Sequence, residues 1–306
     1  MGASVVEQRG FPVRFGWGAE DLAVLTPVSD AVVIVDVLSF TSAVSVAVGR
    51  GARVWPYRFR DASAAAFAAS LGVQLAAPRT AASSPGRWTI SPAGLAEIPA
   101  GTRFVLPSPN GSALSAAAAV HPSVTVVAGC LRNAAAVGGW LAGLVTANAA
   151  NAGRTVAVIA AGERWPDAAG RPHAGPLRPA IEDLLGAGAV LARTVERAAL
   201  SPRRHLSPEA RAALAAFRAA AEADPTCDAA VGETCSADAH AVSVDAASSS
   251  GGAGLLADLR ESVSGRELAA GGWGADVVAA ADLDADDVVP VLTDGAYDRL
   301  PEWTTN

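Results

Sequence analysis

Ala31-Val32-Val33-Ile34-Val35-Asp36 decides how the rest of the chain is read. A continuous, largely β-branched run predicts a strand buried on both faces, the mark of a parallel sheet covered by helices. Asp36 closes that run, and parallel α/β sheets keep their ligand crevice beyond the carboxyl ends of the strands. A carboxylate there can hold Mg²⁺ or attack a phosphoryl group. It can also do no more than complement the dipole of the next helix, with Ser39 or Thr41 as cap.

Working outward, strand and helix signals alternate. Helices are predicted over 40–48, 61–71, 112–120, 133–147, 179–199 and 207–223. Strands are predicted over 54–57, 104–106, 124–128, 155–160 and 288–292. Ser207 followed by Pro208 and Glu209 is a capped helix start. The expected class is α/β, with a mainly parallel sheet and helices on both faces. Two closely packed subdomains, 1–150 and 151–306, fit this reading. Residues 224–253, rich in Ala, Ser, Asp and Gly without a sustained period, are expected to be a mobile loop insertion.

Composition narrows the function classes. There is no lysine among the 23 basic residues of the 306, and the net charge is −7. Arginine without lysine, beside abundant Ala and Gly, reads as the codon bias of a GC-rich genome. The acidic balance argues against a general nucleic-acid binder. No apolar run is long enough to span a membrane, and residues 1–20 lack a signal-peptide core. A cytoplasmic protein with a small anionic substrate is expected, with room for a homodimer. Cys130, Cys227 and Cys235 show no metal-binding spacing, and free thiols are expected. The absence of lysine rules out a Walker loop, and there is no GxSxG elbow.

Polar residues follow several strands. After 104–106 comes Ser108-Pro109-Asn110-Gly111-Ser112, a turn into a helix. Such a turn presents backbone N–H groups to an anion, unless Ser112 merely caps the helix. After 155–160, Gly162 permits a sharp turn and Glu163 emerges. After 124–128 come Cys130, Arg132 and Asn133; the guanidinium fork suits phosphate or carboxylate. Pro179 is expected at the first position of its helix. Ile181, Leu184, Leu185 and Gly188 form its packing stripe, while Glu182 and Asp183 flank it about 100° apart. One of these two is expected to bind metal and the other to face solvent. Ser264-Gly265-Arg266 opens a further helical segment, and Asp294-Gly295 marks a turn.

Taken together, these pieces resemble the 2-phosphosulfolactate phosphatase family. The likeness runs through Val35-Asp36-Val37-Leu38, residues 108–112, Ala128-Gly129-Cys130-Leu131-Arg132-Asn133-Ala134 and Ala161-Gly162-Glu163-Arg164-Trp165. It continues through Arg178 to Gly188, Ser264 to Leu268 and 287–292. The resemblance implies a Mg²⁺-dependent phosphatase acting on phosphate esters of 2-hydroxy acids, a reaction known from coenzyme M synthesis. It implies Asp36, Glu163 and Arg132 as catalytic residues, and Asp36, Glu163, Glu182 and Asp183 as candidate metal ligands. Ser108, Asn110, Gly111, Ser112, Asn133, Arg178, Ser264, Gly265 and Arg266 are the implied substrate-binding residues. Where the family pattern continues with Arg-Ala, this chain has Ser39-Phe40, so one anion ligand of the pattern is missing. A member that binds small anions without turning them over is the second reading.

Overall fold

The computed structural model of the chain describes residues 5–81, 86–146, 154–171, 175–223 and 247–300. Strand β1 (Val13–Trp17) leads into helix α1 (Gly18–Leu25), and β2 (Ala31–Val35) into α2 (Phe40–Gly49). Then come β3 (Arg53–Tyr57), α3 (Ala62–Leu71) and the short β4 (Gln74–Leu75). β5 (Arg103–Pro107), α4 (Gly111–Ala118), β6 (Thr125–Gly129), α5 (Ala134–Thr146) and β7 (Val156–Ala160) keep the alternation. A small antiparallel ribbon, β8 (Glu163–Arg164) with β9 (Leu177–Arg178), precedes α6 (Ile181–Arg197), α7 (Pro202–His205) and α8 (Pro208–Glu222). α9 (Ala247–Glu261), α10 (Val263–Ala270) and α11 (Gly274–Ala281) lead to the hairpin β10 (Pro290–Thr293) and β11 (Ala296–Arg299).

Among the described residues the main sheet has nine strands in the order β1-β7-β2-β6-β10-β11-β3-β5-β4. Pairing is parallel except around the hairpin, which enters antiparallel to β6 on one side and to β3 on the other. Strands from before and after residue 150 interleave in this one sheet. β2 is buried along its whole length. Val33 and Val35 face a core shared with α5, α6 and α8, while Val32 and Ile34 face α1 and α4. The alternation of strand side chains thus puts helices on both faces, as the unbroken apolar run predicts.

Several elements differ from expectation. β1 went unread because Arg14 and Gly16 interrupt it. Arg14 is nonetheless buried, its guanidinium donating to the carbonyls of Phe11 (2.9 Å) and Val28 (2.7 Å), which satisfies the charge-bearing group. Asp294-Gly295 is the hairpin turn, with φ of 52° and 76°, as a type I′ turn requires. Of the expected insertion, residues 224–246, with Cys227 and Cys235, lie outside the described residues. Residues 247–253 are not loop but the opening of α9. α6 starts at Ile181, with Ala180 as cap, so Pro179 precedes the helix.

The return of the chain after β5 creates the site. β6, β10, β11 and β3 stand between β2 and β5 in the strand order. Even so, the chain leaving β5 returns to the end of β2, because α4 packs over β2 through Leu114 and Ala118. Phe40 anchors the same corner from α2: fully buried, it packs edge-on to Tyr297 at 6.2 Å. Burying a side chain of this size stabilises the fold by roughly 2–3 kcal/mol.

Candidate active site

Asp36 sits at the carboxyl end of β2, only 5% exposed. Its Oδ2 accepts the backbone N–H of Gly111 at 2.7 Å and the hydroxyl of Ser108 at 3.3 Å. The expected anion turn is therefore real, but the anion held at the start of α4 is the protein's own carboxylate. No residue other than glycine fits at 111: a Cβ there would lie 2.4 Å from the Phe40 ring and 2.7 Å from Asp36 Oδ2. Asp36 is held from behind as well. Its backbone N–H donates to Thr41 Oγ1 (3.0 Å), and Thr41 donates back to its carbonyl (2.9 Å).

Glu163 reaches the same place from the end of β7, the strand beside β2. Its Oε2 accepts from the side-chain amide of Asn110 at 3.0 Å, so one turn positions both carboxylates. Gly162, at φ 65°, makes the corner, and a Cβ on it would meet Leu177 at 2.7 Å. Asp183 ties the two strand ends together: Oδ1 accepts from the Val37 N–H (2.7 Å) and Oδ2 from the Gly162 N–H (2.8 Å). Its neighbour Glu182 is 2% exposed, and among the described residues nothing donates to its carboxylate. The expectation that one of the pair faces solvent fails. Both are buried, whereas Ile181, expected in the packing stripe, is 43% exposed. The first turn of α6 turns its acids inward and its isoleucine outward, the reverse of an ordinary amphipathic start.

Four carboxylates thus converge, with Arg60 acting on Asp36 and Arg178 on Glu163. Burial is the main force on the acidity of Asp36, Glu163 and Asp183, and neighbouring carboxylates add to it for Glu163 and Asp183. The Glu163 carboxyl is pushed up to about 7 by burial, then by the charge of Asp36 and Glu182, against the pull of Asn110 and Arg178. Burial raises Asp183 well above the usual carboxylate range, with Asp36, Glu182 and Glu163 pushing the same way. Asp36 is raised by burial despite the Gly111, Phe40 and Ser108 hydrogen bonds and the charge of Arg60. Such a cluster is destabilising unless it has a task. Among the described residues, no three His, Cys, Asp or Glu side chains already stand in an arrangement that would hold a metal ion.

Residues 20–295 match the family model for 2-phosphosulpholactate phosphatase. The chain belongs to this family. It is therefore a phosphatase, a phosphoric monoester hydrolase, and the match runs from α1 to the turn between β10 and β11. No curated protein matches the chain.

The phosphatase keeps some predicted residues away from this corner. Arg132 grips Asp286 with two bonds of 2.9 Å and reaches the Ala279 carbonyl at 2.5 Å, so its fork is already taken. Asn133 is fully buried, donating to the Ala128 and Val288 carbonyls and accepting from the Cys130 N–H. Both are corrections: these groups fasten the hairpin and α11 to the strand β6. Ser112 is not a cap; it donates to the Leu106 carbonyl at 2.9 Å. Gly265 lies in the first turn of α10, capped by Ser262, and Arg266 is exposed on that helix. Cys130 is fully buried, and burial pushes its thiol up to about 11, away from the reactive thiolate.

Arg178 and Ser264 do approach the site. Arg178 stacks on Trp165 at 5.6 Å, donates to Ser264 at 3.5 Å, and its charge acts on Glu163. Two arginines that sequence reasoning missed lie close by. Arg60 donates to the Pro107 carbonyl at 3.3 Å, and Arg79 donates to the Ser39 hydroxyl at 2.6 Å. Neither follows a strand of strong apolar signal, and only the three-dimensional return of β5 brings them near Asp36.

Proposed function

We propose that the chain is a Mg²⁺-dependent phosphatase of small 2-hydroxy-acid phosphates, of which 2-phosphosulfolactate is the type. The reading rests on one observation above all: several carboxylates, those of Asp36, Glu163 and Glu182, gathered at the sheet edge beside a Ser-Pro-Asn-Gly-Ser turn. The donors are hard oxygens, which suit Mg²⁺. That ion takes only one or two carboxylates, keeping waters and substrate phosphate oxygens for the rest, so the protein need not supply a closed cage. Asp36 and Glu163 would hold it, with Glu182 adding charge behind them. Asp183, already committed to two backbone N–H groups, keeps the two strand ends at a fixed separation.

When bound, Mg²⁺ would neutralise charge on the phosphoryl oxygens. The chain's own residues do the rest. Asn110 fixes Glu163, and Gly111 and Ser108 fix Asp36, so neither carboxylate has to be ordered when substrate arrives. The Ser108 hydroxyl stands where a phosphoryl oxygen beside Asp36 can meet it. In the reaction, water oxygen bonds to phosphorus and the ester P–O bond breaks. The proton released by water is matched by the one the leaving alkoxide takes up, giving a 2-hydroxy acid and inorganic phosphate.

The acidic net charge of −7 supports a small anion rather than nucleic acid as partner. No helix among the described residues is long and apolar enough to cross a membrane, which accords with work in the cytoplasm. The test is phosphate release from a panel of phosphorylated 2-hydroxy acids with and without Mg²⁺. Release that depends on Mg²⁺ is expected. Tight binding of the panel without release under any divalent ion would replace this reading with that of an inactive anion binder.

A further inference from the structure

The carboxylates around Asp36 gather on one flank, with Arg178 among them, and two further arginines stand on the other. Glu163 leaves β7, and Glu182 and Asp183 open α6, all on one flank of β2. Arg60 follows β3 and Arg79 follows β4, strands from the opposite end of the sheet. We propose that Arg60 and Arg79 form the subsite for the second acidic group of the substrate, its carboxylate or sulfonate, and so set the enzyme's preference for phosphorylated hydroxy acids. This deepens the phosphatase reading and rests on it.

The geometry supports each member. Arg60 is tied by Nε to the Pro107 carbonyl, next to Ser108, whose hydroxyl donates to Asp36. Among the described residues Arg60 has no carboxylate partner. Arg79 is more firmly built in. One nitrogen, Nη1, pairs with buried Asp276, Nη2 donates to Ser39, and the Trp273 ring lies 5.5 Å from the guanidinium. Asp276 is in turn held by Ser91 and the Ala93 N–H. These contacts fix the plane of the fork and leave other N–H donors of the guanidinium for an incoming oxyanion.

Two guanidinium groups are seldom brought together without an anion to share. Here burial and then the charge of Arg60 bring Arg79 down to about 10, against the pull of Asp36. A planar, bidentate acceptor between them removes that cost. Ser39 gains a purpose as well. It does not cap α2 with its side chain but instead holds Arg79 in place.

The test uses the full chain with Arg60→Gln and Arg79→Lys. Arg60 is exposed, so its replacement should not unfold the protein. Lysine at 79 keeps a cation for Asp276 and loses only the fork. For each variant, kcat/KM is measured on 2-phospholactate and on ethyl phosphate, which lacks the second acid. The loss on 2-phospholactate should exceed the loss on ethyl phosphate tenfold or more, and mainly through KM. Equal losses on both substrates, or none, would overturn the proposal. A second readout does not need turnover. The Kd of sulfolactate, followed by thermal shift, should rise at least tenfold in Arg60→Gln. If wild type binds sulfolactate through these arginines but releases no phosphate, the phosphatase reading fails and the subsite stands. If Kd is unchanged in both variants, the subsite fails whatever the activity.

Discussion

Around Asp36, carboxylates meet one another; around Asp286, each carboxylate meets an arginine. In the second region Arg132 holds Asp286 with two bonds of 2.9 Å, and Arg193 holds Asp284 through Nε at 2.9 Å and Nη2 at 2.7 Å. Asp284 also accepts the N–H of Ala135, and Asp286 the hydroxyl of Ser45. This strap between α11 and β10 thus fastens α2, α5 and α6. The Asp36 region has the same residue types and is more deeply buried, and hydrogen bonds to its carboxylates come from backbone N–H groups, a serine and an amide. Carboxylates paired with arginine fasten parts together; carboxylates gathered at the sheet edge serve a ligand. Arg60 and Arg79 stand to one side of that cluster, where they too can take a ligand.

Exchanging one charge in each region should separate the two roles most sharply. Asp36→Asn is nearly isosteric and keeps an acceptor for Gly111, so the melting temperature should stay close to wild type. It removes the negative charge that metal binding or attack on phosphorus requires, and phosphate release should fall by about 10³-fold or more. Arg132→Ala should do the opposite. It leaves Asp286 without its partner in a half-closed setting, at a cost of about 3 kcal/mol in denaturant unfolding. Activity per folded molecule should remain. A folded, active Asp36→Asn would move Glu163 to the head of the site; an Arg132→Ala that is stable but inactive would restore the role the sequence suggested for Arg132.

The second prediction concerns pH. An acid whose folded pKa lies above its unfolded value binds more protons in the folded state, so stability falls as pH rises between the two values. Glu163, pushed up to about 7, should make the metal-free protein less stable from about pH 4.5 to 7, by up to about 3 kcal/mol. Asp36 and Asp183, raised in the same direction, extend the same trend. Millimolar Mg²⁺ should flatten the slope, and Glu163→Gln should remove much of it. Denaturant midpoints across this range, with and without Mg²⁺, are the measurement. A metal-free protein that gains stability over that range would contradict the raised carboxyls of this cluster.

How much of this was legible in the sequence depends on whether the signal was local. β2, β5, β6 and β7 announced themselves as apolar runs, and Asp36, Glu163 and the 108–112 turn could be placed at their ends by counting. The site's second half could not be found that way. Arg60 and Arg79 gain their position from the return of the chain after β5 to the end of β2, across segments far apart in sequence. Arg132 misled because a guanidinium after a strand looks alike whether it awaits a phosphate or grips an aspartate; Asp286, its partner, is distant in the chain. The first turn of α6 misled through periodicity. Ile181 continues the apolar spacing, yet the helix is rotated so that Glu182 and Asp183 face inward, a case of function overriding pattern.

That rotation gives the smallest effect and the finest test of the comparison. Glu182 is buried among carboxylates, and its charge helps raise both Glu163 and Asp183. Glu182→Gln keeps the shape and removes one negative charge from the crowd. In an ordinary helix start, losing an acid costs a few tenths of a kcal/mol, because the acid complements the dipole. Here the relief of repulsion should outweigh that loss, and the metal-free variant should be more stable than wild type by about 1 kcal/mol. The gain should shrink when Mg²⁺ is added, since the same charge then helps hold the ion. Ile181→Ser is the control on the other side of the helix. At 43% exposure it should change stability by less than about 0.5 kcal/mol, where a core isoleucine would cost several times more. Denaturant midpoints for the two variants, with and without Mg²⁺, decide the matter. A Glu182→Gln protein that is destabilised without metal would mean that this carboxylate has a partner after all, and that the acidic corner is matched like the arginine strap.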